Sequence, residues 1–454
     1  MNIAILGHGL EGQAVETYFK AHSSTDTPHN LTFFDHFEDY QIPSFHLENF
    51  DLVFRSPSVH PQFVLSPEDR GLSSNWTSIT NYFFQHCKAP IIGVTGTKGK
   101  GTTCSIITNL LRQFPERFEN IHLVGNIGTP AILELDKITE KDLVVYEMSS
   151  FQCWDLQKSP HVAVVLRIEP DHLDRHRDFE DYIAAKTNIV NFQTASDFCI
   201  YYANNPDSTK IGLKSAGHQA TYPIKTNRDK LNPLLDQLKV PGEHNRENAE
   251  AAILAVLDIL HLSLEELFRE EHKDVYQKFA HGLATFTGLP HRIQFVRELN
   301  HVRYYDDNYS SAFPAADVAI KAFEAYPTIL IAGGKDRHLD LSAMKQRFFT
   351  ANNLKKIILI GETRFALAEG EDPEKFILAE SLEDAVLYAK NYAENYAANL
   401  ESNYDLCIPS TPEAINNQSA KPVIVLMSPG AASFDMFKDF SDRGNQFQQI
   451  VNAF

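Results

Sequence analysis

Glycine and lysine at close spacing after an apolar strand are the first sign of chemistry in this chain. The run Gly93-Val94-Thr95-Gly96-Thr97-Lys98-Gly99-Lys100-Gly101-Thr102-Thr103 follows the apolar segment Pro90–Val94 and leads into a helical stretch ending at Leu111. Glycines let backbone N–H groups turn inward around phosphate oxygens, the helix N-terminus adds positive potential, and Lys100 can reach the outer phosphates. Gly96, Thr97, Lys98, Gly99, Lys100, Gly101 and Thr102 are therefore expected to bind ATP. The run departs from the general phosphate loop. Val94 stands where that pattern has its first glycine, and Gly101 where a hydroxyl usually helps hold Mg2+. Thr102 or Thr103, or a water, is expected to take over. The bland alternative is a glycine-rich turn with incidental lysines, which the preceding strand and following helix disfavour.

A second glycine turn, Gly7-His8-Gly9-Leu10-Glu11-Gly12, lies between the apolar strand Asn2–Leu6 and a helical stretch Gln13–Ala21. The next strand, Leu31–Phe34, ends at Asp35. Strand, glycine turn, helix and a strand with an acid at its tip is the order of a nucleotide-binding Rossmann half. Alone, the turn serves equally to pack a strand on a helix, or to bind NAD in a dehydrogenase. The dehydrogenase reading leaves the Lys100 loop unexplained. Asp51–Phe54 gives another strand, followed by the loop Arg55-Ser56-Pro57-Ser58.

These residues need elements to position them. Strands at Leu143–Tyr146 and Val162–Leu166 alternate with helical stretches, the alanine-rich helix Asn245–Leu260 follows, and a less regular stretch runs to Pro290. Beyond it, strands near Val302–Asp306, Thr328–Ala332, Lys356–Ile360 and Pro422–Leu426 again alternate with helices. Strand–helix alternation predicts parallel sheets covered on both faces. The expected fold is α/β in three domains: a Rossmann-like domain over 1–89, a central ATPase-like parallel sheet over 90–290, and a Rossmann-like domain over 291–454. The polar stretch Ser402–Ala420 reads as a surface insertion.

Composition narrows the partners. With 41 basic against 59 acidic residues the formal charge is −18, which repels nucleic acid and anionic membranes. The five cysteines, Cys87, Cys104, Cys153, Cys199 and Cys407, have no metal-site spacing and suggest free thiols in a reducing compartment. No apolar run reaches the roughly 20 residues of a membrane span. A cytoplasmic, monomeric protein without a leader is expected.

Further motifs then fall into one order: Gly125-Asn126-Ile127-Gly128, Glu147-Met148-Ser149-Ser150-Phe151-Gln152, Asp171-His172-Leu173-Asp174-Arg175-His176, Gly242-Glu243-His244-Asn245 with Asn248, and Leu289-Pro290-His291-Arg292. Together with the Lys100 loop they closely resemble the Mur ligases of bacterial peptidoglycan synthesis. The segment Leu426–Asp435 and Phe440–Phe447 most resembles the members that add D-glutamate. The resemblance implies that ATP phosphorylates a substrate carboxylate and that an amino acid's amine attacks the acyl phosphate to give an amide. Its partners would be UDP-N-acetylmuramoyl-L-alanine and D-glutamate, with ATP and Mg2+ as cofactors. Lys100, Glu147, His172 and Lys186 would be catalytic. Glu147, His172, Thr102 and Lys186, once carbamylated, would hold metal. Asn126 would orient phosphates or metal beside the sugar nucleotide, and Asn245, Asn248, Arg292 and Asp307 would complete the ATP site. Gly7, Gly9, Gly12, Asp35 and Ser56 would hold the UDP part. Arg337, Ser311, Ser433, Phe434 and Phe440 would receive the amino acid. A related ligase for another amino acid or peptide, and a ligase-derived regulatory protein, are the alternatives.

The chain departs from the pattern of the D-glutamate-adding members: among other changes, Tyr309 stands for a lysine, Ser311 for a threonine, and Arg337 for the lysine that meets the amino-acid carboxylate. Arginine keeps the charge and binds a carboxylate through two parallel bonds, so Arg337 can serve with altered geometry. Arg167 replaces an asparagine ahead of the Asp171-His172 motif.

Overall fold

The computed structural model describes residues 1–34, 49–60, 75–338, 340–370, 372–404 and 421–454. Asp35 and nearly all of the polar stretch around 402–420 lie outside them. The described chain forms three sheets and divides into two compact units, Met1–Leu238 with Glu243–Phe286, and Lys239–Gly242 with Thr287–Phe454.

The first unit carries two parallel sheets. Strands β1 (Asn2–Leu6), β2 (Asn30–Phe34), β3 (Leu52–Arg55) and β4 (Trp76–Ser78) are ordered β2-β1-β3-β4. Strands β5 (Ile91–Thr95), β6 (Ile121–Gly125), β7 (Leu143–Glu147), β8 (Val162–Val165), β9 (Phe198–Tyr202) and β10 (His218–Tyr222) are ordered β10-β9-β8-β5-β7-β6. Every residue of β5, β7 and β8 is buried, as a parallel sheet covered on both faces requires. The chain crosses from one side of β5 to the other between β7 and β8, so the loops after these strands open at one carboxyl edge. Open α/β sheets bind their ligands at such a crossing. Helices Lys100–Leu111 and Glu243–Ile259 pack together against this sheet.

In the second unit the strands are β11 (Gln294–Leu299), β12 (Val302–Asp306), β13 (Thr328–Gly333), β14 (Leu354–Ile360), β15 (Phe376–Leu378) and β16 (Val423–Met427), in the order β11-β12-β16-β13-β14-β15. Only β11 runs antiparallel to its neighbour. One core lies on each face, around Phe447 and Val386 on one side and Phe348 and Leu359 on the other.

The strands that hydrophobic patterning did not mark are, apart from β9, sheet edges: β4, β6, β10, β11 and β15. An edge strand is covered on fewer sides, so polar residues interrupt its apolar run, as in His218–Tyr222 with its single fully buried residue. The stretch read as less regular holds the helix Lys273–Thr285. Gly282 lowers its helical propensity but lets it approach Leu110 closely, where an added Cβ would lie 2.9 Å from Cδ2.

Candidate active site

The Lys100 loop takes its shape from positive-φ glycines. Gly96 has φ +154° and Gly99 φ +88°, and a Cβ on them would sit 2.6 Å from Leu166 Cβ and 2.7 Å from Asn248 Oδ1. No larger residue fits either place. Gly99 opens the helix Lys100–Leu111, so the helix's free N–H groups face the loop. The Lys100 ammonium folds back on the loop, donating to the carbonyls of Gly96 (3.1 Å) and Thr97 (3.0 Å). Burial lowers its pKa, against the pull of Glu147 and Asp171. Thr97 Oγ1 is held by the Glu169 carbonyl and the Tyr182 hydroxyl, each at 2.9 Å. Thr103 Oγ1 bonds back to the Gly99 carbonyl, whereas the Thr102 side chain is half-buried and makes no hydrogen bond among the described residues.

Parallel registration brings distant motifs to this loop. Val94 of β5 and Gly125 of β6 both register with Glu147, the last residue of β7. The Glu147 carboxylate is buried and accepts from Asn126 Nδ2 at 3.1 Å, and the Asn126 N–H donates to the Glu147 carbonyl. Lys186, on the helix Phe179–Asn191, is 1 % exposed and reaches the same loop, donating to the Gly96 carbonyl (2.9 Å) and Thr95 Oγ1 (3.2 Å). No carboxylate pairs with it among the described residues. Burial, with the neighbouring Lys100 second, pulls its ammonium down to about 7. A cationic lysine buried without a counterion is costly, so burial favours the neutral amine here. His172 sits at φ +51° with its side chain half exposed and its ring 5.0 Å from that of Phe151. Asn245 and Asn248 are buried near the start of the helix Glu243–Ile259. Lys98 is exposed at the loop's tip.

In the glycine turn after β1, a Cβ on Gly12 would lie 2.2 Å from the Gly7 carbonyl, and Ser56 Oγ donates to that carbonyl at 2.6 Å. Ser56 thus builds the turn itself. Gly9 caps the helix Leu10–Ala21 and has open space beside it.

Sequence reasoning missed what joins this turn to the Glu147 segment. Gln152 closes a capping box with Ser149 and donates to Glu11 Oε1 at 3.0 Å. Burial pushes the Glu11 carboxyl up to about 6, against that bond and Arg55. Beside it the fully buried Arg55 donates through Nε (2.9 Å) and Nη2 (2.6 Å) to the Asp155 carboxylate, which also accepts from Trp76 Nε1 (2.7 Å). His60 and His176 share Asp181 Oδ2. Burial alone would raise Asp181, but the bonds from His60, His176 and Arg177 take it to about 2. Glu11 and Gln152 each stand in a recognised motif, yet no local pattern links residues so far apart.

In the second unit the loops after β12, β13 and β16 share one edge. Lys335 bridges Ala432, which adjoins Ser433 and Phe434, and Arg337, two residues further along, is exposed. Ser433 is buried and Phe434 is 71 % exposed. Arg443, also missed, is fully buried and ties these loops together, donating to Asn308 Oδ1 (2.7 Å) and to the carbonyls of Ala431 (3.1 Å) and Ala432 (3.3 Å). Burial lowers it to about 10. Asp307 accepts from Ser310, Ser428 and the Ile293 N–H, and burial pushes it up to about 6. Ser311 is exposed.

A phosphate-type loop at the carboxyl edge of a parallel sheet, with a buried carboxylate and a buried lysine beside it, is suited to holding a nucleotide's phosphates. Residues 94–256 match the Mur ligase middle domain. The chain is similar to the UDP-N-acetylmuramoylalanine–D-glutamate ligase of Clostridium kluyveri, 33% identical over 427 residues that cover 89% of this chain and 83% of the relative. The ligase of that name from Acetivibrio thermocellus is 33% identical over 440 residues, 90% and 84% of the two chains. The fold is that of MurF from Acinetobacter baumannii (TM-score 0.52, 15% identity, 90% and 89% of the chains) and MurC from Thermotoga maritima (0.51, 15%, 100% and 99%). The chain belongs to the Mur ligase family, among the relatives of its D-glutamate ligases.

Proposed function

We propose that the chain joins D-glutamate to UDP-N-acetylmuramoyl-L-alanine at the expense of ATP, in peptidoglycan precursor synthesis. The observation that carries this reading is the convergence of Lys100, Glu147 and Lys186 on one positive-φ glycine loop, in a chain 33% identical to ligases of that name. The γ-phosphoryl group of ATP passes to the alanyl carboxylate and ADP leaves. The D-glutamate amine attacks the acyl carbon, phosphate departs with its electron pair, and the amine proton is lost to solvent. Phosphoryl transfer needs positioning and charge neutralisation more than covalent help from the protein. Loop N–H groups and Lys100 supply both for ATP, with Asn245 and Asn248 beside them. The glycine turn after β1 with Ser56 holds the UDP part, and Arg337, Ser311, Ser433, Phe434 and Phe440 receive the amino acid. In the second unit, Arg292 offers guanidinium donors for an oxyanion of one of the substrates.

Among the described residues no three His, Cys, Asp or Glu side chains cluster as a ready metal site. Mg2+ suits such a sparse set, because it keeps waters and binds through one or two carboxylates plus phosphate oxygens. Glu147, His172 and the Thr102 hydroxyl are the groups to hold it, and when bound it neutralises phosphate charge. A carbamylated Lys186 would add two acceptor oxygens, and its full burial without a counterion supports that form. ATP dependence and free thiols at Cys87, Cys104, Cys153 and Cys199 fit a cytoplasmic site of action. Among the described residues no helix is long and apolar enough to cross a membrane.

The test is phosphate release from ATP with UDP-N-acetylmuramoyl-L-alanine and Mg2+, comparing D-glutamate with other amino acids. Release that needs both substrates, with an amide product of matching mass, is expected. Release with another amino acid alone would move the specificity to that substrate, and none with any pairing would refute ligase activity.

A further inference from the structure

We propose that Tyr309 is a positioning residue, holding the Arg292 guanidinium face-on so that its N–H edges stand ready for an oxyanion. The inference rests on the ligase reading in one respect: the oxyanion is either a phosphate of ATP or a carboxylate of the amino acid.

The guanidinium carbon lies 3.7 Å from the centroid of the Tyr309 ring, well inside the range in which an aromatic face attracts a cation. Arg292 is exposed, and among the described residues its side chain forms no ion pair and no hydrogen bond. Stacking uses only the face of the planar group, leaving its donors free for a planar or tetrahedral oxyanion. The ring is itself held, edge-on to Phe440 with centroids 5.4 Å apart at 86°.

The backbone that presents Arg292 is strained and pinned. His291 has φ +58° and Ile293 φ +45°. A β-branched residue at positive φ is a genuine outlier that persists only where the surroundings enforce it, and such strain gathers at ligand clamps. Here His291 Nδ1 bonds Asp306 Oδ2 at 2.7 Å, the Ile293 N–H donates to Asp307 Oδ1 at 3.1 Å, and the Tyr309 N–H donates to the His291 carbonyl at 2.9 Å. Behind them Gly444 leaves no room, since a Cβ there would lie 2.1 Å from His291 Nδ1. Three anchors and a closed back wall thus fix the backbone on both sides of a solvent-exposed arginine. They pre-order a long side chain that would otherwise lose its rotamer freedom on binding.

The experiment compares Tyr309→Ala, Tyr309→Leu and Tyr309→Phe, with thermal unfolding as a control. Calorimetric titration with a non-hydrolysable ATP analogue and, separately, D-glutamate reads binding without turnover. Failure of the stack is thereby kept apart from failure of the ligase reading. Loss of an exposed cation–π contact corresponds to roughly a two- to five-fold weaker Kd. That weakening is expected in the alanine and leucine variants and not in the phenylalanine variant. Weakening of the analogue alone identifies a phosphate, and weakening of D-glutamate alone a carboxylate. Unchanged binding of both ligands in Tyr309→Ala, or equal weakening in Tyr309→Phe, would overturn the proposal. So would additivity with Arg292→Ala, since a residue acting through Arg292 adds nothing once Arg292 is gone.

Discussion

Asp155→Asn should destabilise the first unit more than any change of one atom at its surface. The native carboxylate takes three bonds: Oδ1 from Arg55 Nη2, and Oδ2 from Arg55 Nε and Trp76 Nε1. Both side chains are sealed, Arg55 at 0% and Asp155 at 5% exposure. An asparagine can keep its oxygen toward only one side and must turn its NH2 toward donors on the other. The Arg55 cation then stays buried without a counterion. Removing one partner of a buried pair costs about 3–5 kcal/mol. The low end applies here, because the Ser56, Val59 and Phe151 carbonyls still accept from Arg55. At roughly 2–4 °C per kcal/mol, 3 kcal/mol lowers Tm by about 6–12 °C. The assay is urea unfolding followed by far-ultraviolet circular dichroism, with a thermal scan beside it. The double variant Arg55→Met/Asp155→Leu removes the buried-charge penalty but leaves the Trp76 N–H and the Val59 and Phe151 carbonyls unpaired, at about 1 kcal/mol each, so only part of the loss should return. Loss below about 0.5 kcal/mol in Asp155→Asn, the range of ordinary surface changes, would refute the reasoning.

Gly99→Ala forces a Cβ at φ +88° to within 2.7 Å of Asn248 Oδ1, so nucleotide binding should fall at least ten-fold, read by titration with ADP. The backbone penalty itself is about 1–3 kcal/mol. Lys186→Ala should abolish turnover and recover part of it with millimolar formate or acetate, because a small carboxylate can replace carbamate oxygens. Full activity without added carboxylate would sink the carbamate. Burial raises Asp307 to about 6 against an ordinary value of 3.8, so the folded state holds the proton more tightly than the unfolded state. Its contribution is then complete below about pH 4 and is lost as pH rises through 6. The Tm of Asp307→Asn should therefore fall less between pH 4 and 6 than that of the wild type, and parallel curves would contradict the buried-carboxyl assignment.

The α/β alternation, the glycine turns and the order of motifs were legible in the sequence because each depends on local chemistry. Glycine at 96 and 99 is required by backbone conformation, and buried parallel strands carry continuous apolar runs such as Leu143–Tyr146. Tertiary structure alone decided which of these meet. Lys186 is singled out by the family resemblance alone; its residue type and neighbours read as an ordinary helical lysine, and only the fold shows it sealed against the Gly96 carbonyl, where burial lowers its pKa. Tyr309 reads as a departure from a family lysine until the strained His291–Ile293 loop lays Arg292 across its ring. Arg55 and Asp155 are 100 residues apart, and no periodicity records that they pair. Local sequence fixes dihedral preference and hydrophobic period, which act over a few residues. Counterions, desolvation and stacking depend on neighbours that only the packed sheets bring together.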